Sequence, residues 1–179
     1  MNTETVPFEQ WFNFLERSER MGIGPSTKET SLHHFRDPLL DVVGNDPDVD
    51  LQGVMLIGTP QDNRMKHLVG HRAAVWLEGM RTDGAIVSSD GWGNSDVDFA
   101  NTLEEIGTRG ISVVGMKFIG QQAKFVVTNK HTELMVDINK SEKGIETEVV
   151  CENNLNVLDA RKALALLKLK IRKDHSETK

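Results

Sequence analysis

Between residues 51 and 117, apolar runs of strand length alternate with stretches whose apolar residues recur at helical spacing. "LQGVMLIG", from Leu51, is a continuous apolar run, the pattern of a strand covered on both faces, and it predicts the first core strand. Residues 62–81 then place Met65, Leu68, Val69, Ala73, Trp76, Leu77 and Met80 on one side of a helix, the side expected to face the core. "GAIVSS", from Gly84, predicts the second strand. A helix from Asp96 to Thr108, with Val97, Ala100, Leu103 and Ile106 as its stripe, leads to a third strand in "GISVVGMKF", from Gly110. Strands and helices that alternate over short connections require parallel pairing with crossovers. The fold class is α/β, a three-layer sandwich around a mainly parallel sheet with a βαβαβ core.

Other elements flank this core. "VPFEQWFNFLERSERM", residues 6–21, has Phe8, Trp11, Phe12 and Leu15 at helical spacing with Pro7 in the first turn, and predicts an amphipathic helix. Ser26 and Glu29 have capping-box spacing for a second helix toward Phe35, which Pro38 is expected to end. Residues 41–50, acidic and rich in helix breakers, read as a loop. "KFVVTN", 124–129, offers a fourth strand, and "ELMVDIN", 133–139, a fifth element that is either helix or strand. A final helix over 157–173 carries Val157, Ala160, Leu164, Leu167 and Ile171 along one stripe, with a basic end suited to the helix dipole. The organisation expected is one domain over residues 1–179: a helical N-terminal extension to residue 50, the sheet core over 51–173 and a frayed tail from 174.

Composition narrows the function classes. The chain of 179 residues is 38% apolar and 27% charged, ordinary for a globular protein, with a net charge of -6. That charge disfavours nucleic acid and anionic membrane as partners, since both attract basic surface. The single cysteine, Cys151, cannot form an internal disulfide. No stretch has the character of a signal peptide or a membrane span, so the expected compartment is the cytoplasm.

Ligands of open parallel sheets bind beyond the carboxyl ends of the strands. The loops expected there are 58–63, 88–96 and 118–122, and the middle one, "SSDGWGNSD", is the richest. Gly91 and Gly93 permit close backbone approach, while Asn94 or Ser95 can cap the following helix and leave its first N–H groups free. Asp90, Asp96 and Asp98 would repel an anion, so an amine or a zwitterionic amino acid suits the loop better than a nucleotide. Neither a GxGxxG nor a GxxxxGK[ST] motif occurs at such a turn. Asp90, Trp92, Asn94 and Asp96 are therefore the candidate ligand-binding or docking residues.

Three further groups carry titratable chemistry. His67 and His71 are four apart on a helix, opposite the Met65–Trp76 stripe, and read as a solvated face without a metal. His33 and His34, near Arg36 and Asp37, are a candidate acid or base with Arg36 as a ligand contact. Cys151 has no CxxC partner and reads as an inert thiol.

"MGIGPSTKETSLHHFRDPLL" (21–40), "DGAIVSSDGWGNSDVDF" (83–99) and "LMVDINKSEKGIETEV" (134–149) together resemble the glycine, sarcosine and betaine reductase component B subunits and their D-proline reductase relatives. In size the chain is similar to a small stand-alone subunit of the D-proline reductase group. The resemblance implies amino-acid fermentation by reductive cleavage of a C–N bond at the α-carbon, with a dithiol as electron donor. Maturing members convert a cysteine into a terminal pyruvoyl group, and a selenocysteine on a partner subunit completes the chemistry. This sequence departs from that pattern: Cys151 stands near the C-terminal helix, behind the α/β unit, and no selenocysteine is encoded. The resemblance thus implies an accessory subunit, inactive alone, that bears neither group. Its partners would be other reductase subunits in an oligomer that carry the pyruvoyl and selenocysteine, with a small amino acid such as D-proline as ligand. The alternative is a non-catalytic amino-acid-binding or assembly module.

Overall fold

The computed structural model describes residues 38–89, 95–117, 128–138 and 155–177. Four helices and three strands occupy these residues: α1 (Pro38–Gly44), α2 (Asn63–Gly79), β1 (Gly84–Ser89), α3 (Ser95–Gly107), β2 (Ser112–Lys117), β3 (Met135–Asp137) and α4 (Val157–Glu177). The strands form one parallel sheet in the order β1-β2-β3. β1 and β2 pair from Gly84↔Ser112 to Ser89↔Lys117, so their carboxyl ends finish level. β2 is buried along its whole length, and this central position explains its apolar run.

The pleat sends alternate residues to two cores. On one face Val113 packs with Phe99, Leu103 and Ile106 of α3 and with Ala74 of α2. On the other, Val114 and Met116 pack with Val136 and with Ala163 and Leu167 of α4. The fold is α/β with helices on both sides of the sheet, as expected. Close approach depends on small residues: a Cβ on Gly115 would come within 2.8 Å of the Phe99 ring, and one on Gly84 within 2.8 Å of Leu167.

Local signals set most helix ends. Asp62 caps α2 by accepting from the Met65 N–H at 3.0 Å. Arg81, at φ 56°, closes its other end in the left-handed region, with Thr82 N–H bonded to Leu77 O at 3.1 Å. Asn156 caps α4 by accepting from the Asp159 N–H at 3.0 Å.

Several expectations are corrected. Residues 51–58 form no strand: they join no ladder, and Val54 and Leu56 are 62% and 70% exposed. An apolar run becomes a strand only where an edge is available to pair it, and the sheet described here begins at β1. Pro38 starts a helix of its own, because a proline in the first turn gives up an N–H that has no helical acceptor. That helix takes in residues 41–44 of the expected loop. "ELMVDIN" resolves as strand β3, and α4 continues through residues 174–177 of the expected frayed tail. The helices expected over 6–21 and 26–35 lie outside the described residues, as does most of the 124–129 run, whose described residues 128 and 129 are not strand.

The largest correction concerns α2. Its buried residues are Lys66, Gly70, Ala73 and Ala74, whereas Met65, Leu68, Trp76 and Met80 of the expected core stripe are exposed. Small residues let α2 lie close on α3, and a Cβ on Gly70 would stand 2.4 Å from the Asn101 amide nitrogen. Most of the bulky apolar residues are turned outward from that close contact, while Ala73 and Leu77 of the expected stripe do face the core and Lys66 is buried with its ion-pair partner.

Candidate functional site

The level carboxyl ends of β1 and β2 place Ser89 beside Lys117, and α3 starts at Ser95 above them. Lys117 is 1% exposed although it carries a charge. Its Nζ lies 2.9 Å from Asp96 Oδ1 in the first turn of α3, 3.4 Å from Ser89 Oγ and 5.4 Å from the centre of the Phe99 ring. The 2.9 Å contact is a Coulombic pairing without hydrogen-bond alignment at that oxygen.

A second buried ion pair stands beside it. Lys66 of α2, 2% exposed, binds Asp98 Oδ2, and the Asp98 carbonyl accepts from Thr102 Oγ1 at 2.7 Å. The start of α3 is thus tied to the sheet through Asp96 and to α2 through Asp98. The two ammonium groups offset the two carboxylates, so the repulsion of anions expected from Asp96 and Asp98 is neutralised locally. The other oxygen of Asp98 and the Asn101 amide nitrogen are buried without hydrogen-bond partners among the described residues.

The α2–α3 seam continues as a polar ladder. His67 Nδ1 lies 2.7 Å from Asn101 Oδ1, and His71 Nδ1 lies 3.1 Å from Glu105 Oε2. Arg109 binds Glu105 at 2.9 Å and Glu78 at 3.3 Å. Burial favours a raised Glu105 pKa, but hydrogen bonds from Arg109 and His71 outweigh it and hold the carboxyl below its ordinary value. The two histidines are exposed, as the sequence suggests, yet they face a neighbouring helix and not open water alone.

Of the candidate residues, Asp96 is described: buried at the strand tips and engaged by Lys117. Asp90, Trp92, Asn94, His33, His34 and Arg36 lie outside the described residues, as does Cys151. The segment 58–63 is not a strand-tip loop, since no strand precedes it; it leads instead into α2, which brings Lys66 to the same place. Sequence reasoning missed both lysines. The signal for Lys117 was a lone charge closing the apolar run "ISVVGMK", which must find a partner if the strand is central.

Comparison with known proteins adds a family. The profile of the glycine/sarcosine/betaine reductase component B subunits matches residues 22–122. The chain is 46% identical over 149 residues to the D-proline reductase proprotein of Acetoanaerobium sticklandii, an alignment that covers 83% of this chain and 24% of the relative. This chain therefore spans about a quarter of that relative's length. No solved structure matches.

Proposed function

The chain belongs to the glycine/sarcosine/betaine reductase component B family, and we propose that it serves as an accessory subunit of a D-proline or glycine-type reductase. The observation that carries this reading is the 46% identity to a D-proline reductase proprotein across most of the chain. The reaction class is reductive cleavage of the C–N bond of a small amino acid with electrons from a dithiol. On this reading the pyruvoyl and selenocysteine reside on partner subunits, because Cys151 stands in sequence between β3 and α4 of the α/β unit instead of ahead of it.

The role of this chain is to build part of the pocket. Ser89 and α3 flank residues 90–94, and Lys117, Asp96, Lys66 and Asp98 fix that flank through buried ion pairs. Flanks held in this way position an adjoining group without supplying a catalytic one. Asp90, Trp92 and Asn94 are the residues proposed to meet the amino acid or the adjoining subunit. A locally balanced set of charges suits a zwitterion.

Anaerobic isolation of the tagged chain from its native source tests the proposal. Reductase polypeptides should co-elute, and the complex should reduce D-proline or glycine with a dithiol while the separated chain does not. A chain that elutes alone and binds proline or glycine with micromolar affinity in calorimetry would instead be an amino-acid sensor.

A further inference from the structure

The helix α2 presents two unlike faces. One is buried against α3 through Gly70, Ala73 and Ala74, and the opposite face carries Met65, Leu68, Val75 and Trp76, all exposed, with Trp76 at 67%, while the exposed Met80 caps the helix. Large apolar residues gathered on the outward stripe of a helix are unusual for a surface in water. A Cβ on Gly79, at the end of this stripe, would meet nothing within 4 Å.

The charges of this face have one sign. Arg64 and Arg72 lie among the apolar residues and have no ion-pair partner among the described residues, while Glu78 on the same helix is engaged by Arg109. Yet the chain as a whole is acidic, at -6. An apolar face interspersed with unpaired arginines complements a protein surface that mixes apolar and acidic side chains.

We infer that the outward face of α2 is where this chain docks onto another reductase polypeptide, one that presents acidic side chains among apolar ones. The inference rests on the subunit reading above and deepens it by naming the surface. A second copy of this chain fits less well, because self-pairing of the face would set arginines against arginines.

Oxidative footprinting tests the inference on the native complex and on the separated chain, since exposed methionine and tryptophan report burial by slower oxidation. Met65, Trp76 and Met80 should be protected in the complex. Trp76→Glu and Arg72→Glu should each weaken association with the purified partner polypeptides by about tenfold or more. Leu158→Glu, an exposed apolar site on α4, should leave it unchanged, and circular dichroism should show all three variants folded. The effect of Arg72→Glu should shrink as salt rises.

Co-isolation with equal oxidation of the three residues in both states overturns the docking face and leaves the subunit reading standing. Absence of reductase polypeptides overturns both. Protection of the face in a dimer of this chain alone assigns it to a second copy, and binding of the chain to anionic vesicles through the same residues assigns it to a membrane surface; either result overturns the inference.

Discussion

Lys117 closes the central strand with its ammonium group 2.9 Å from the Asp96 carboxylate at the start of α3, and the two side chains are only 1% and 9% exposed. Buried ion pairs of this kind are costly to break singly, because the surviving charge is left in an apolar setting. Lys117→Met should therefore destabilise the protein by about 3–5 kcal/mol. The double variant Lys117→Met/Asp96→Asn should recover much of that loss. Denaturant unfolding of both variants checks the coupling, and an additive double variant would show that the pair is not an energetic unit.

Gly70 sets the spacing of α2 and α3. In Gly70→Ala the new methyl would meet the Asn101 amide at 2.4 Å and the Thr102 backbone at 3.4 Å, and stability should fall by about 1–3 kcal/mol. Gly79→Ala, in open space on the same helix, should be neutral or stabilise by up to about 1 kcal/mol. Thermal melts of the two variants should move in opposite directions or differ by several degrees.

Acidification should weaken the fold in an ordered way. Burial holds His131 below its ordinary value of 6.5, and the nearby Lys130 and Lys170 act in the same direction against Glu104 and Asp174. Its ring lies against Gly107, where a Cβ would meet it at 2.2 Å. The unfolded chain thus binds the proton more readily, so this contribution is present above pH 6.5 and lost as pH falls through the folded value. Glu105 and Asp174 follow lower down. Burial raises the Asp174 pKa, but hydrogen bonds from Ser112 and Lys170 hold it below 3.8, so its contribution is lost only as pH falls through the depressed value. His131→Gln should flatten the stability profile as pH falls below 6.5 and leave the limb set by the carboxylates unchanged. A profile identical to that of the unaltered protein would remove His131 from this account.

The contact between the turn after α1 and α4 should be insensitive to pH near neutrality. Lys168 binds Asp46 and Asp48, lowering the Asp46 pKa, while the Asp46 hydrogen bond raises that of Lys168. Asp46 loses its contribution as pH falls through its depressed value, and Lys168 loses its own as pH rises through its raised one. Hydrogen-exchange protection at α1, corrected for the intrinsic pH dependence of amide exchange, should fall at both extremes and be flat between them.

Much of the sheet was legible in the sequence. β1 and β2 announce themselves as short apolar runs beside turn residues, and α3 and α4 by stripes that do enter the core, such as Leu103 with Ile106 and Leu164 with Leu167. Residues 51–58 have the same composition as a strand, but pairing is a tertiary fact that composition does not contain. α2 misled for a related reason. Periodicity weights the largest apolar residues, while its buried face is chosen by closeness of approach, which favours Gly70, Ala73 and Ala74.

The candidate site was legible only in part. The glycines and acids of the 88–96 loop mark a strand tip, and Asp96 does stand there. Lys66 and Lys117 were hidden because a buried lysine is recognised by its partner, and both partners are distant in sequence. Asp90→Ala in the assembled complex should lower turnover by about tenfold or more without releasing the subunit. Unchanged turnover would reduce the loop to a turn.

The account stands or falls on whether this chain carries the electrophile. The direct measurement is intact mass spectrometry of the chain, recovered from the native reductase after treatment with a carbonyl reagent. The chain should be uncut before Cys151 and unlabelled, with the label on a partner polypeptide. A chain split at Cys151 whose new terminus carries the reagent would contradict it.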